Sequence, residues 1–375
     1  MRERPLKNLD WFNDSVGENF DIGVYDHSKR LGLTVSQLLE REKSAKQGEQ
    51  TAYFGLTRSE VIEKKAALKK AGKNVPLEAI EECFLKAGVR TSGAGADVVS
   101  KVWEFSDIDV LFPEFVSNRI YAGMLADSLI PQLIAIETVL TDGLDYRKIY
   151  INDSEEERQT GVVNPGSELA ETMITVGDQS VKLTKYGRYI NSPFEDTKYQ
   201  RLNVYAMAME RIGKQIQIDM TDDLIYALIN GDGNSSTTPG TTVESDTSAT
   251  IGVADLIEFF TCLPTPYSMT NMVGKKALLV KVYNALVGMY NPMTSYGIPG
   301  LNIPKIHEWD RSVVTSDYLI GIDNRYSIEY VNSGAIETDT EKFVKKQTNG
   351  TGIWTYSAFG IIDEQANGIF DETHT

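Results

Sequence analysis

Apolar or small residues recur at Leu202, Ala206, Met209, Gly213, Ile216, Met220, Leu224 and Leu228, the three-and-four spacing of one helical face. The flanks carry matching punctuation. Ser192-Pro193-Phe194-Glu195 offers an N-cap serine, a proline for the first helical position and a glutamate to close a capping box. Asn230-Gly231-Asp232-Gly233 supplies glycines for a left-handed stop. The pattern predicts one helix over Pro193 to Ile229, about 55 Å long, with Gly213 the only residue in it that helices disfavour. Glu210, Arg211, Lys214, Asp219, Asp222 and Asp223 exclude a membrane span. A dimeric coiled coil is the plain alternative, and the sheet-rich sequence on both sides argues for a packed mixed domain instead.

Before this helix the chain changes character several times. Residues 1–33 mix Trp11, Phe12, Phe20 and Tyr25 with polar residues and show no clear period. Thr34-Val35-Ser36-Gln37 and Thr57-Arg58-Ser59-Glu60 read as capping boxes, and Gly72 and Gly88 close short charged helices at 58–71 and 77–87. A DNA-reading helix pair is one reading of these. Lys64, Lys65, Lys69, Lys70 and Lys73 are countered by Glu60, Glu63, Glu78, Glu81 and Glu82, so a solvated helical arm or assembly region is favoured. Residues 91–96 read as a linker. From Val102 to Leu140 charge thins out and helical and extended patterns alternate.

Tyr146–Ile151 and Val181–Ile190 alternate as strands do. They flank Glu155, Glu156 and Glu157, a Pro165-Gly166 turn and a second strand pair folding at Gly177-Asp178. A hairpin so long and polar is expected to project from the body, its edges paired by a neighbouring subunit, because bare strand edges invite association. After the long helix, the Ser/Thr-rich residues 235–250 read as loop, 253–263 as helix, Ala277-Leu278-Leu279-Val280 as a buried strand and Lys281 to Met289 as helix. Pro292, Pro299-Gly300 and Pro304 punctuate a loop, and strands follow at Tyr318–Ile322, Ile328–Val331 and Gly352–Asp363.

The charge is uneven. Residues 1–100 hold 16 Lys and Arg against 15 Asp and Glu, while 101–375 hold 21 against 38, so the second part carries −17 and the first +1 of the net −16. Such a body does not grip nucleic acid tightly. Cys83 and Cys262 stand far apart, as do His27, His307 and His374, and none has metal-ligand spacing. Asn230-x-Asp232-x-Asn234 imitates the start of a calcium loop, but Ser235 and Thr241 stand where glycine and glutamate are needed, so it reads as a helix stop. Gly93-x-Gly95 lacks the third glycine of a dinucleotide fingerprint. No catalytic signature is found and no cofactor is expected.

The order of a polar helical region, a long hairpin ending in KLTKYGRYINSPFED, a long helix closing in LINGDGN with Pro239-Gly240 after it, and a mixed α/β lobe resembles the major capsid proteins of tailed bacteriophages with the Hong Kong 97-like fold. That resemblance implies an α+β fold with an N-terminal arm or scaffold-like region (1–107), a peripheral domain (108–145), an extended loop (146–192), a spine helix with more peripheral domain (193–250), an axial domain (251–335) and peripheral return strands (336–375). It implies a shell subunit, not an enzyme. Such a subunit assembles through homo-oligomeric hexamers and pentamers into an icosahedral virion capsid in the host cytoplasm. Portal, scaffold or decoration proteins, and loose non-specific contact with packaged DNA, are its implied partners, with no membrane. Lys182, Lys185, Tyr186 and Arg188 would act in assembly, and Leu202, Ala206, Met209, Ile216, Met220, Leu224 and Leu228 would form the packing face of the spine. Some relatives join a loop lysine to a neighbour's asparagine; Lys182 and Lys185 lie in the matching segment, but ordinary salt contacts are the favoured reading. An encapsulin-like compartment is the alternative, and a DNA-binding regulator or hydrolase a more distant one.

Overall fold

The computed structural model describes residues 23–373 apart from 48–49, 94, 105–108, 127, 141–142, 144, 151–174, 194–198, 233–240, 290–302, 312, 315–316, 335 and 344–345. In chain order the helices are α1 (Gly23–Arg30), α2 (Val35–Gln47), α3 (Arg58–Lys70), α4 (Ala79–Lys86), α5 (Val99–Glu104), α6 (Phe112–Leu125), α7 (Ile130–Leu133), α8 (Leu202–Asn230), α9 (Val253–Thr261) and α10 (Lys276–Met289). The strands are β1 (Ile136–Val139), β2 (Asp145–Tyr150), β3 (Thr175–Lys182), β4 (Thr184–Pro193), β5 (Thr241–Glu244), β6 (Asn271–Gly274), β7 (Lys305–Glu308), β8 (Tyr318–Ile322), β9 (Ile328–Asn332), β10 (Glu337–Phe343), β11 (Thr348–Ile361) and β12 (Asn367–Asp371). The chain is α+β and forms two units. One comprises Met1–Ser128, Gly187–Gln217 and Ile336–Trp354; the other comprises Leu129–Tyr186, Ile218–Ala335 and Thr355–Thr375.

In the first unit, local sequence sets the helix ends. Thr57 and Glu60 cap α3 reciprocally, and Thr34 and Gln37 bond each other's backbone N–H at the head of α2. Gly72 and Gly88 adopt φ of +66° and +80° beyond α3 and α4, as helix stops require. Phe84 packs on Phe115 with ring centroids 5.5 Å apart, and Phe112 on Tyr205 at 5.7 Å, which ties α4, α6 and α8 together. The α6–α8 crossing is unusually close. A β-carbon on Gly213 would lie 2.0 Å from the Ile120 carbonyl oxygen, and one on Gly123 would lie 2.0 Å from that of Glu210. Gly213, the one poor helix former in the pattern, is therefore where another backbone passes.

In the second unit a sheet of order β5-β12-β8-β6-β7 carries α9 and α10. Leu256, Phe259 and Phe260 from α9 meet Leu278, Leu279 and Val282 from α10 over Met272, Leu319 and Phe370. In the same unit β9 lies between β1, which runs parallel to it, and the second half of β11, antiparallel. β2 and β3 form a separate two-stranded ribbon.

Several expectations are corrected. The long helix begins at Leu202, not Pro193: Ser192 and Pro193 finish β4, where a missing N–H is tolerated. The Leu202 N–H is taken by the Asp97 carbonyl at 2.8 Å. Its 29 residues give about 44 Å. Val181–Ile190 is not one strand; it breaks at Leu183 between β3 and β4. Gly177-Asp178 is not a turn but lies within β3 at a register shift, since Arg147 faces Ser180 while Ile149 faces Val176. Ala277–Val280 is the first turn of α10: Leu278 and Leu279 are buried while Val280 is exposed, a helical and not a strand rhythm. Thr241–Glu244, read as loop from its hydroxyls, is β5, where β-branched side chains suit an extended backbone. The sequence reading also missed α1, β6, β7, β10 and β12. The Glu155–Glu157 tract, the Pro165-Gly166 turn and the Pro292 and Pro299-Gly300 punctuation lie outside the described residues.

Candidate assembly surfaces

The helix face read from the sequence is turned inward. Leu202, Met220, Leu224 and Leu228 are fully buried, and Ala206, Met209 and Ile216 nearly so. The opposite side of α8 leaves Val204, Met207 and Tyr226 exposed. The helix stops where expected, with Gly231 at φ +84°. Asp232 Oδ2 accepts the Ile361 N–H at 3.1 Å, which gives this carboxylate a structural partner.

Lys182 in β3 and Lys185, Tyr186 and Arg188 in β4 have different surroundings. Lys182 ends β3 opposite Asp145 and is exposed. Lys185 is exposed, with Nζ 5.8 Å from the Tyr356 ring centroid, a cation–π contact. The Tyr186 hydroxyl donates to Asp223; burial first, and that carboxylate second, push the phenol far above its ordinary range. Arg188 is exposed. The residues sequence reasoning missed are the clamps on the second unit's part of α8. Asp222 accepts from Trp309 Nε1 at 2.8 Å and from Arg311 Nε at 3.0 Å, with Arg311 Nη2 at 2.9 Å from the same carboxylate. In sequence Trp309 and Arg311 lie 87 and 89 positions from Asp222, so only the fold reveals them.

Among the described residues of the second unit, exposed apolar side chains gather on α10 and on β1. On α10, Val280 (51% exposed), Tyr283 (50%) and Val287 (71%) recur at helical spacing on the side away from the core. On β1, an edge strand, Ile136 and Val139 are exposed. Scattered exposed apolar residues need no explanation, but a stripe of three on one helix face is what a partner surface needs.

Among the described residues no three His, Cys, Asp or Glu side chains converge as a metal site, and no helix is long and apolar enough to cross a membrane. Burial pushes the Cys83 thiol up to about 12 and the Cys262 thiol to about 11, so neither is a ready nucleophile. In the folded protein at neutral pH, Cys83 is expected to resist a thiol reagent until denaturant is added, a difference read directly by mass spectrometry. Burial, with Lys305 nearby, lowers the His307 pKa, and its Nε2 lies 3.0 Å from Asn271 Oδ1.

No protein family matches the sequence, and no curated protein does. Several solved structures are similar to part of the chain. The capsid of cyanophage P-SCSP1u is 10% identical, with 66% of this chain and 89% of that one covered at a TM-score of 0.46. A virus-like particle from Pyrococcus furiosus is 11% identical, with 69% and 99% covered at 0.46. An encapsulin complex from Synechococcus elongatus is 11% identical, with 66% and 89% covered at 0.46. Phage capsids and encapsulins are both among these structures.

Proposed function

We propose that this chain is the major capsid protein of a tailed phage or prophage, a structural subunit that closes with many copies into an icosahedral shell around double-stranded DNA. The observation that carries this reading is the succession of an extended ribbon and strand, β2 to β4, into a 29-residue helix buried along one face, followed by a lobe that presents an open apolar stripe. A monomeric enzyme has no use for such a stripe or for an extended ribbon. A subunit that must meet neighbours on several sides needs both, because many weak contacts add up on closure.

In this reading residues 146–192 are the extended loop, α8 is the spine, 251–335 form the axial lobe that meets its copies in hexamers and pentamers, and the last strands return to the peripheral domain. Lys182, Lys185 and Arg188 are exposed and would meet acidic residues of the adjoining subunit. The acidic second part of the chain lets DNA pack inside without sticking. An encapsulin-like compartment has the same kind of shell; the helices folded between Gly23 and Lys86, a substantial region ahead of α6, favour the phage reading.

The test is expression of the chain alone, followed by sedimentation and negative-stain microscopy. Rings of five or six, or closed shells, are expected; a monomer at all concentrations and salt conditions would end the proposal. Replacing Val287 with aspartate, in the open stripe, is expected to block assembly while leaving the unfolding transition of the subunit within about 0.5 kcal/mol, the usual range for surface changes. Normal shells from Val287→Asp would remove α10 from the contact.

A further inference from the structure

The ribbon of β2 and β3 pairs with no other strand among the described residues, yet each of its roots is pinned by a tyrosine hydroxyl on a carboxylate. On the outgoing strand the Tyr146 hydroxyl donates to Glu329 Oε1 at 2.9 Å, and Thr138 Oγ1 donates to the same oxygen. On the returning chain, past the end of β3, the Tyr186 hydroxyl donates to Asp223 of α8. Tyr146, Glu329, Tyr186 and Asp223 all belong to the second unit.

Glu329 is the unusual member. It lies in β9 between two strands and is 6% exposed, and among the described residues no cation pairs with it; its partners are two hydroxyls. A buried carboxylate costs free energy that an apolar pair in the same place would not, so its presence points to fixing a geometry rather than to adding stability. A hydroxyl bond to a carboxylate is strong and directional, and can hold a strand at one angle. Burial first, then Glu329, raise the Tyr146 phenol above its ordinary value, so the donor keeps its proton at neutral pH.

The ladder around this pin has the layout of a hinge. Tyr146 stands opposite Val181, which is buried, and immediately beyond them the register shifts between Arg147 and Ile149. Such an irregularity bends a strand and disrupts its pairing locally, so the first soft point of the ribbon lies just past the pin. The other strand breaks at Leu183, between β3 and β4, close to the second pin.

We propose that Tyr146 and Tyr186 are latches that set the direction in which the ribbon leaves the second unit, so that it meets a neighbouring copy in one orientation. The consequence for assembly rests on this chain being a shell subunit. Holding a docking element in its bound orientation lowers the ordering cost of each contact, and a shell repeats that gain at every copy. Tyr146 should be the stronger latch, because Glu329 is buried whereas Asp223 is exposed and water competes for its oxygens.

The experiment compares the full-length wild type with Tyr146→Phe, Tyr186→Phe and the double variant, each of which keeps the ring and loses the hydroxyl. Amide exchange of subunits held below the assembly concentration is read by mass spectrometry over residues 145–150 and 175–186, and thermal unfolding verifies that each variant is folded. Exchange there is expected to quicken at least about tenfold in Tyr146→Phe and less in Tyr186→Phe, with β6 and β8 unchanged. Glu329→Gln, which keeps an oxygen to accept from Tyr146, should stay closer to wild type than Tyr146→Phe does. In sedimentation, the double variant is expected to need at least about tenfold more protein to form shells. Unchanged exchange in both segments would overturn the latches, and faster exchange with an unchanged assembly threshold would overturn their part in assembly. If the wild type forms no shells at all, the capsid reading fails, and the exchange comparison by itself decides whether the tyrosines latch the ribbon.

Discussion

Replacing Gly213 by alanine is expected to destabilise the first unit by at least about 2 kcal/mol, although alanine is the better helix former by about 1 kcal/mol. The reason is the neighbour. A β-carbon at 213 would meet the carbonyl oxygen of Ile120 at 2.0 Å and its carbonyl carbon at 2.8 Å, atoms of another helix's backbone that no rotamer change can move. α6 and α8 would have to separate, and the ring contact between Phe112 and Tyr205 would loosen with them. Gly123→Ala should act alike, through Glu210, from the other side of the crossing. Because both changes demand the same separation, the double variant should cost less than the two added together. Urea unfolding of the three variants measures this. A rise in stability near 1 kcal/mol for Gly213→Ala would mean that the helices cross farther apart than they do here.

That glycine shows where the sequence was legible and where it was not. The spacing of Leu202, Ala206, Met209, Ile216, Met220, Leu224 and Leu228 announces a buried helix face because burial repeats every three or four residues. Caps at Thr57 and stops at Gly72, Gly88 and Gly231 were legible for the same reason: each is decided within one turn of chain. The Ser192-Pro193 signal misled because proline fixes φ equally well for a helix start and a strand end, and only the bond from Leu202 to the Asp97 carbonyl, over a hundred residues away, decides where α8 begins. Ala277–Val280 misled because a short apolar run has no period of its own. Of the strands missed altogether, β6 and β7 have four residues each, β10 is polar and is placed by pairing with β11, and β12 pairs with β5 and β8. The clamps on Asp222 are likewise tertiary facts. Of the α10 stripe, Tyr283 and Val287 lay in the segment read as helix, but Val280 was hidden in the run taken for a strand and could be recognised as outward only once the helix was extended to it.

In the second unit the largest single-residue loss is expected at Asp323, in the turn from β8 to β9. Its carboxylate is fully buried and accepts from the Ser268 N–H at 3.0 Å, the Arg325 N–H at 3.1 Å, and Arg325 Nε and Nη2 at 2.9 and 2.7 Å. Asp323→Ala strands the Ser268 and Arg325 backbone donors beside a fully buried position and should cost about 2 kcal/mol or more; Asp323→Asn keeps the shape and one acceptor and should cost less. Arg325 is half exposed, so the backbone donors carry most of the loss. Burial alone would raise the Asp323 pKa, but the hydrogen bonds from Arg325 and from the backbone outweigh it and hold the carboxyl below its usual value. The folded state thus releases this proton more readily than the unfolded chain, so the contribution is complete above the ordinary aspartate range near 4 and is lost as pH falls through the lower folded value. Denaturant midpoints measured for wild type and Asp323→Asn should differ by a constant amount from pH 7 down to about 5 and converge as the solution is acidified further. A gap that stayed constant to pH 3 would show that the missing charge was not what the asparagine variant lost.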